Sequence, residues 1–314
     1  MSRSSPVARR PSPKASSPQR PGSPRPTGAQ LEPSSWEITG PPGAPVILVL
    51  GGISATRHAA EWWGDQVGPG RAIDTARCRV LGVEWHVPAE GPVTTHDQAR
   101  RLAAALDHLD IARLDAIVGA SYGGMVALAF AAAYPERVAR LALIGAAHES
   151  HPFATAQRVI QRRIIRLGLA GGLPTEGVAL ARALAITTYR TAAEFAERFP
   201  LEPGAPFAVE RYLDHSAARF TAHFTPERYL ALSESLDLHR VDPARVRTPT
   251  ALLGVREDTL VPCWLLWQLQ AQLGAPCTLE EVSSLTGHDA FLTETDLVRD
   301  FLERALAAEV RRAA

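Results

Sequence analysis

Six short apolar runs constrain this chain more than any other feature. They cover residues 46–50, 80–83, 116–118, 141–144, 250–253 and 278–282, and glycine, proline or polar residues bound each one. Runs this short, without polar alternation, read as strands buried on both faces. Helical patterns lie between several of them. In 95–109, Ala99, Leu102, Ala103, Leu106 and Leu109 share one face. The Ala-rich stretch 125–134 ends at Pro135. Strands alternating with helices predict an α/β fold with a mostly parallel sheet covered on both faces.

The alternation stops at about residue 148 and resumes near Thr248. The intervening stretch holds helical patterns at 153–167, 175–187, 192–199, 206–220 and 226–236, and no convincing strand. The expected organisation is a core of residues 36–147 and 244–314, with a helical lid, 148–243, inserted over the C-terminal edge of the strands. Ligands bind at that edge in open α/β sheets. Residues 1–35 are rich in Ser, Pro and Arg, with almost no large apolar side chains. Such a composition cannot offset its ordering entropy, so a disordered tail is expected there.

Charge narrows the chemistry. Lys and Arg total 33, as do Asp and Glu, so no overall field favours nucleic acid or an anionic membrane. The tail carries six basic residues and one acidic, which leaves the body mildly acidic. Lys14 is the only lysine, which excludes Schiff-base and P-loop lysine chemistry from the body. Cys78, Cys263 and Cys277 are far apart and odd in number, against a disulfide framework or a structural zinc. A reduced, cytoplasmic location is expected, with no secretory signal and no membrane-spanning run. No metal is expected: His148-Glu149-Ser150-His151 is a local His/acid cluster, but its spacing is not that of an HExxH zinc helix.

The sharpest motif is Gly119-Ala120-Ser121-Tyr122-Gly123, followed by Gly124. This G-x-S-x-G follows a strand pattern and precedes a helix pattern, the strand–turn–helix setting of a nucleophile elbow in the α/β hydrolase fold. Glycines are needed where backbones approach too closely for a Cβ. A serine nucleophile needs a base, and the base an orienting acid, in the chain order Ser, Asp or Glu, His. His288 follows the last strand pattern and no histidine comes after it. Arg256-Glu257-Asp258 follows the strand before that; Asp258 is the expected acid and Glu257 the alternative. An oxyanion needs preorganised donors. The expected ones are the backbone N–H groups of Tyr122, directly after the nucleophile, and of Ile53 in Gly51-Gly52-Ile53-Ser54.

Beyond the elbow, several stretches resemble the homoserine O-acyltransferases, α/β hydrolase-fold enzymes of methionine biosynthesis with a helical lid. They are Trp62-Trp63, Gly68-Pro69-Gly70, Ala72-Ile73-Asp74-Thr75, Gly124-Met125, Gln161-Arg162, Leu180-Ala181-Arg182, Thr188-Tyr189-Arg190 and Gly287-His288-Asp289-Ala290-Phe291-Leu292. The resemblance implies ping-pong transfer from acyl-CoA, as a substrate and not a cofactor, through acyl-Ser121 to L-homoserine. It further implies that Arg182 with Tyr189 grips the amino-acid carboxylate, that Asp289 faces the ammonium, and that the enzyme is a homodimer through its lid. Departures are Gly-Gly-Ile-Ser where His-Ala-Leu-Thr is more usual, Ala120 and Tyr122 where Gly and Met are commoner, and little room before residue 50 for a pair of long strands. These match a shorter branch of the family, associated with succinyl rather than acetyl transfer. The added carboxylate wants a cation, and Arg57 is the candidate. The competing expectations are an L-serine O-acyltransferase, a carboxylesterase, and a non-catalytic binding module on the same fold.

Overall fold

The computed structural model describes residues 35–200 and 207–307. The tail expected over 1–35 lies outside these apart from Ser35. Nine strands form among the described residues: β1 Trp36–Thr39, β2 Val46–Leu50, β3 Val67–Gly68, β4 Ile73–Asp74, β5 Arg79–Val83, β6 Ala116–Ala120, β7 Leu141–Ile144, β8 Thr250–Val255 and β9 Cys277–Val282. β3 and β4 pair only with each other. The rest make a seven-stranded sheet in the order β1-β5-β2-β6-β7-β8-β9. Only β1 is antiparallel to its neighbour.

The apolar runs are continuous because each strand supplies two cores. Val46, Leu48 and Leu50 of β2 join one cluster, Ile47 and Val49 the other. Leu141 and Leu143 of β7 divide from Ala142 and Ile144 in the same way. Side chains alternate across a strand, so a sheet covered on both faces has no polar phase. α2 (Thr95–His108) and α3 (Tyr122–Ala133) cover one face. The other face packs against α1 (Ala59–Trp62) and the C-terminal helices α10 (Ala290–Thr293) and α11 (Thr295–Ala307). α9 (Cys263–Gln272) lies beside β8 and β9. α2 starts at a capping box in which Thr94 and Asp97 each satisfy the other's backbone N–H.

Between β7 and β8 the described residues form five helices: α4 Pro152–Ala170, α5 Pro174–Tyr189, α6 Ala192–Arg198, α7 Ala208–Thr221 and α8 Pro226–Asp237. They form the helical insertion over the strands' C-terminal edge. α4 and α5 touch backbone to backbone, since a Cβ on Gly168 would fall 2.8 Å from the Gly177 Cα. The insertion leaves and rejoins the core at one point. There Glu149 bridges Arg240, and the Val241 N–H donates to the His148 carbonyl at 2.9 Å. His239 locks this root, bonding Thr95 Oγ1 at 2.8 Å and the Ala147 carbonyl at 3.1 Å.

The chain runs from β2 outward to β5, then returns to β6 on the other side of β2. The order therefore reverses between β2 and β6, and the loops after these two strands flank the crevice where such sheets bind ligands.

Candidate active site

Ser121 stands at the end of β6 as the N-cap of α3, with φ 53° and ψ −122°. Its neighbours explain the glycines. A Cβ on Gly119 would meet the Gly124 Cα at 2.8 Å, one on Gly123 the Leu50 carbonyl oxygen at 2.3 Å, and one on Gly124 the Ala146 Cβ at 2.4 Å. The turn is thus wedged between β2, β6 and the end of β7. The Gly123 N–H donates to Gly51 O at 2.9 Å, which ties the elbow to the loop after β2. The Trp85 indole N–H donates to Gly52 O at 2.9 Å and fixes that loop from behind.

Ser121 Oγ lies 2.8 Å from His288 Nε2, and His288 Nδ1 lies 2.6 Å from Asp258 Oδ2. The other Asp258 oxygen accepts the N–H groups of Leu260 and Val261 at 2.8 and 3.0 Å. Three chain segments far apart in sequence thus build one nucleophile–base–orienter relay. Glu257 turns away and accepts the Ser284 N–H at 2.9 Å, so Asp258 is the acid at the imidazole. Burial disfavours the His288 imidazolium, but the Asp258 charge and hydrogen bond, helped by Asp289, outweigh it and raise the His288 pKa. Gly287, at φ 56°, sets up this turn, and a Cβ there would meet the Tyr189 carbonyl oxygen at 2.8 Å.

The Tyr122 and Ile53 N–H groups have no acceptor among the described residues. The first belongs to the opening turn of α3, where the helix dipole favours negative charge. The Tyr122 side chain points elsewhere. It is fully buried, packs edge-on against Trp85, and its hydroxyl lies 2.7 Å from Ser235 Oγ of α8. Burial pushes its pKa up to about 12.

Ser121 and His288 open onto a cavity of about 240 Å³ between sheet edge and insertion. Ile53, Arg182, Tyr189 and Asp289 line it. The Arg182 guanidinium lies 5.5 Å from the Tyr189 ring centre and 4.7 Å from that of Phe220, with no carboxylate partner among the described residues. Its Nε is buried without a hydrogen-bond partner. Burial raises the Tyr189 pKa, while the Arg182 charge works against that rise. Asp289 faces the cavity with Oδ2 held 3.1 Å from Arg190 Nε, and Arg190 is itself braced by Glu194 at 2.9 Å.

Arg57 is not brought to the cavity. Its guanidinium pairs with Glu84 at 3.5 Å, and the same carboxylate takes the Arg57 backbone N–H at 3.0 Å. Glu84 stands just beyond β5 and holds it there, while its other oxygen lies 3.5 Å from Arg228 Nη2. The second arginine that lines the cavity, beside Arg182, is Arg158 of α4, which sequence reasoning missed. A signal was available: Arg158 lies one turn from Gln161 and Arg162 on the same helix face as buried Ala154 and Ile165. An arginine on a buried stripe needs a reason. Gln161 also lines the cavity and accepts the Tyr229 hydroxyl at 3.0 Å, whereas Arg162 bonds Ser233 behind it. His148 and His151 sit at the root of the insertion, and among the described residues no three His, Cys, Asp or Glu converge to hold a metal.

The sheet order, the strained serine and the relay define a class, and residues 45–295 match the α/β hydrolase fold family. The chain belongs to it. Within that class, it is 43% identical over 288 residues to homoserine O-succinyltransferase of Xanthomonas campestris pv. campestris, covering 86% of this chain and 78% of that protein. It is 34% identical to homoserine O-acetyltransferase of Leifsonia xyli subsp. xyli, over 87% of this chain and 83% of that one. This chain is therefore a member of that O-acyltransferase family. The crystal structure of homoserine O-acetyltransferase from Bacillus anthracis shares the fold with a TM-score of 0.80 at 21% identity, covering 88% of this chain and 92% of its own.

Proposed function

We propose that this enzyme transfers a succinyl group from succinyl-CoA to the hydroxyl of L-homoserine through an acyl-Ser121 intermediate, in methionine biosynthesis. The observation that carries the reading is a Ser–His–Asp relay opening onto a cavity whose Arg182 has no carboxylate partner among the described residues. In the first half-reaction His288 Nε2 takes the Ser121 proton as Oγ attacks the thioester carbonyl. The Tyr122 and Ile53 N–H groups receive the oxyanion. Collapse breaks the C–S bond, and the CoA thiolate leaves with the proton from His288. In the second half the homoserine hydroxyl gives its proton to His288 and attacks the acyl carbon. Collapse then returns Ser121 and releases the O-acyl product.

The acceptor is held by its two charges. Arg182, with Tyr189 beside it, offers a fork for the carboxylate, and Asp289 offers an oxygen to the ammonium. Arg190 keeps Asp289 aimed. Water must be excluded for transfer to outrun hydrolysis, and the insertion roofs the site for that purpose. The enzyme works in the cytoplasm as a homodimer through α4 and α5. Phe153, Ile160 and Leu167 recur every seven residues along α4, and each is more than half exposed, as is Leu180 of α5. Such a stripe matches a second copy of itself.

The test is CoA release from succinyl-CoA and acetyl-CoA with L-homoserine, with L-serine and without acceptor. The expected result is a burst of CoA equal to enzyme without acceptor, and fast turnover only with succinyl-CoA and L-homoserine. Turnover with L-serine alone would move the acceptor. Steady release indifferent to any amino acid would make the protein an esterase.

A further inference from the structure

The two backbone N–H groups assigned to the oxyanion lie on different loops, and one side chain touches both loops. β5 pairs parallel with β2, so the chain leaves both strands at the same sheet edge. Trp85 stands two residues beyond β5 and is buried. Its indole N–H donates to the Gly52 carbonyl at 2.9 Å. That carbonyl belongs to the same peptide unit as the Ile53 N–H, and a trans peptide is planar with its C=O and N–H pointing opposite ways. The bond behind the Gly52 oxygen therefore aims the Ile53 N–H away from Trp85, and Gly52, Ile53 and Ser121 all line the cavity. The Trp85 ring also meets the Tyr122 ring edge-on, centroids 4.9 Å apart and planes at 76°. A Cβ on Gly52 would meet nothing within 4 Å, so packing does not hold this peptide. Glycine's backbone freedom leaves its plane to hydrogen bonds. The Ala55 N–H reaches the same oxygen at 3.0 Å, but from within the turn. Trp85 supplies the bond from outside it, and is itself clamped: its carbonyl accepts Arg228 Nη1 of α8 at 3.1 Å. Two donors on one carbonyl also polarise the amide and strengthen its N–H as a donor.

We propose that Trp85 is a positioning residue for the oxyanion: its indole N–H sets the plane of the Gly52–Ile53 peptide so that the Ile53 N–H meets the developing charge, and its ring seats Tyr122 opposite. The inference rests on the acyl-Ser121 reading and names the side chain that preorganises its charge-stabilising pair. Such donors act by being in place before the charge appears. Lost orientation therefore raises the barrier to acylation without loosening the bound thioester. A peptide turned over would point the Gly52 oxygen at the oxyanion, where like charges repel.

Trp85→Phe keeps a ring against Tyr122 and removes the N–H. Replacing Trp85 by β-(3-benzothienyl)alanine puts sulfur where the indole has its N–H at nearly the same size, which keeps the test open if the Phe variant does not fold. Each protein is mixed with succinyl-CoA without acceptor, and the CoA burst gives the acylation rate constant and the half-saturating succinyl-CoA concentration. The rate constant should fall about 10- to 100-fold, short of the roughly 10²–10³-fold lost when an oxyanion donor is removed outright, with half-saturation unchanged. Trifluoroacetonyl-CoA probes the charge itself: Ser121 Oγ adds to its ketone carbon, the serine proton passes to His288 and the ketone oxygen becomes an oxyanion. Its inhibition constant should rise by the factor by which the rate constant falls, while that of CoA stays unchanged. An unchanged acylation rate in the folded variants would overturn the proposal, as would equal weakening of CoA and of the ketone. A wild-type enzyme that gives no burst and binds the ketone no better than CoA would overturn the acyl-serine reading itself, before any variant is measured.

Discussion

Ser121 holds φ 53°, one of two non-glycine residues with positive φ among those described, and the pair it joins is tuned by charge. A strained backbone of this kind costs about 1–3 kcal/mol and persists because β2, β6 and α3 over-determine it. His288 is the group that titrates. Only its neutral form can accept the Ser121 proton, so in the proposed reaction activity falls as pH drops through its raised pKa. That acid limb has its midpoint above the ordinary histidine value of about 6.5. Asp258→Asn removes the charge that raises it. The variant should show a limb displaced to lower pH and kcat lower by about 10⁴-fold, the scale seen when a relay loses its orienting acid. A pH profile of kcat/KM for both proteins checks the two effects together. An unmoved limb would mean that another group sets it.

The elbow is a packing problem as much as a chemical one. Gly123 faces the Leu50 carbonyl at 2.3 Å from where a Cβ would sit, and Gly119 and Gly124 face each other. α3 can therefore start directly behind the nucleophile and aim its first N–H groups at the reaction. Gly123→Ala should push α3 off β2 and destabilise the protein by about 1–3 kcal/mol, as overpacking does. Gly52→Ala is the control, because nothing lies within 4 Å of a Cβ there; its stability should change by under about 0.5 kcal/mol. Urea titration of both variants separates them. A second element matters equally: α5 carries Arg182 and Tyr189 two turns apart, on one face and one cavity wall.

At the scale of the molecule, one sheet and one insertion divide the labour. The sheet edge brings the relay together, and α4, α5 and α8 supply the cavity's far wall and its arginines. The same two helices α4 and α5 turn an apolar stripe outward, with Leu167 75% and Leu180 62% exposed. Sedimentation of the wild-type enzyme should give a dimer. Leu167→Asp, which would bury a charge in the proposed interface, should shift it to monomer while the isolated fold melts normally. A wild-type monomer at micromolar concentration would end the dimer proposal.

The sequence by itself determined the α/β architecture. Short runs buried on both faces carry no polar phase, and only a covered parallel sheet accommodates them. It also determined the elbow, because G-x-S-x-G-G is a local steric demand that six consecutive residues express. Element β1 and the β3–β4 pair were not legible, since two to four residues carry no periodicity. Tertiary structure decided the rest. It set Asp258 and not Glu257 at His288, adjacent acids whose directions depend on the turn after β8. It placed Arg57 against Glu84 and Arg158 in the cavity. An arginine's spacing along the chain says which helix face it occupies, but its net charge in place depends on acids brought near by other elements. Asp237 of α8, 79 residues beyond Arg158, is such an acid, and only the folded chain counts it.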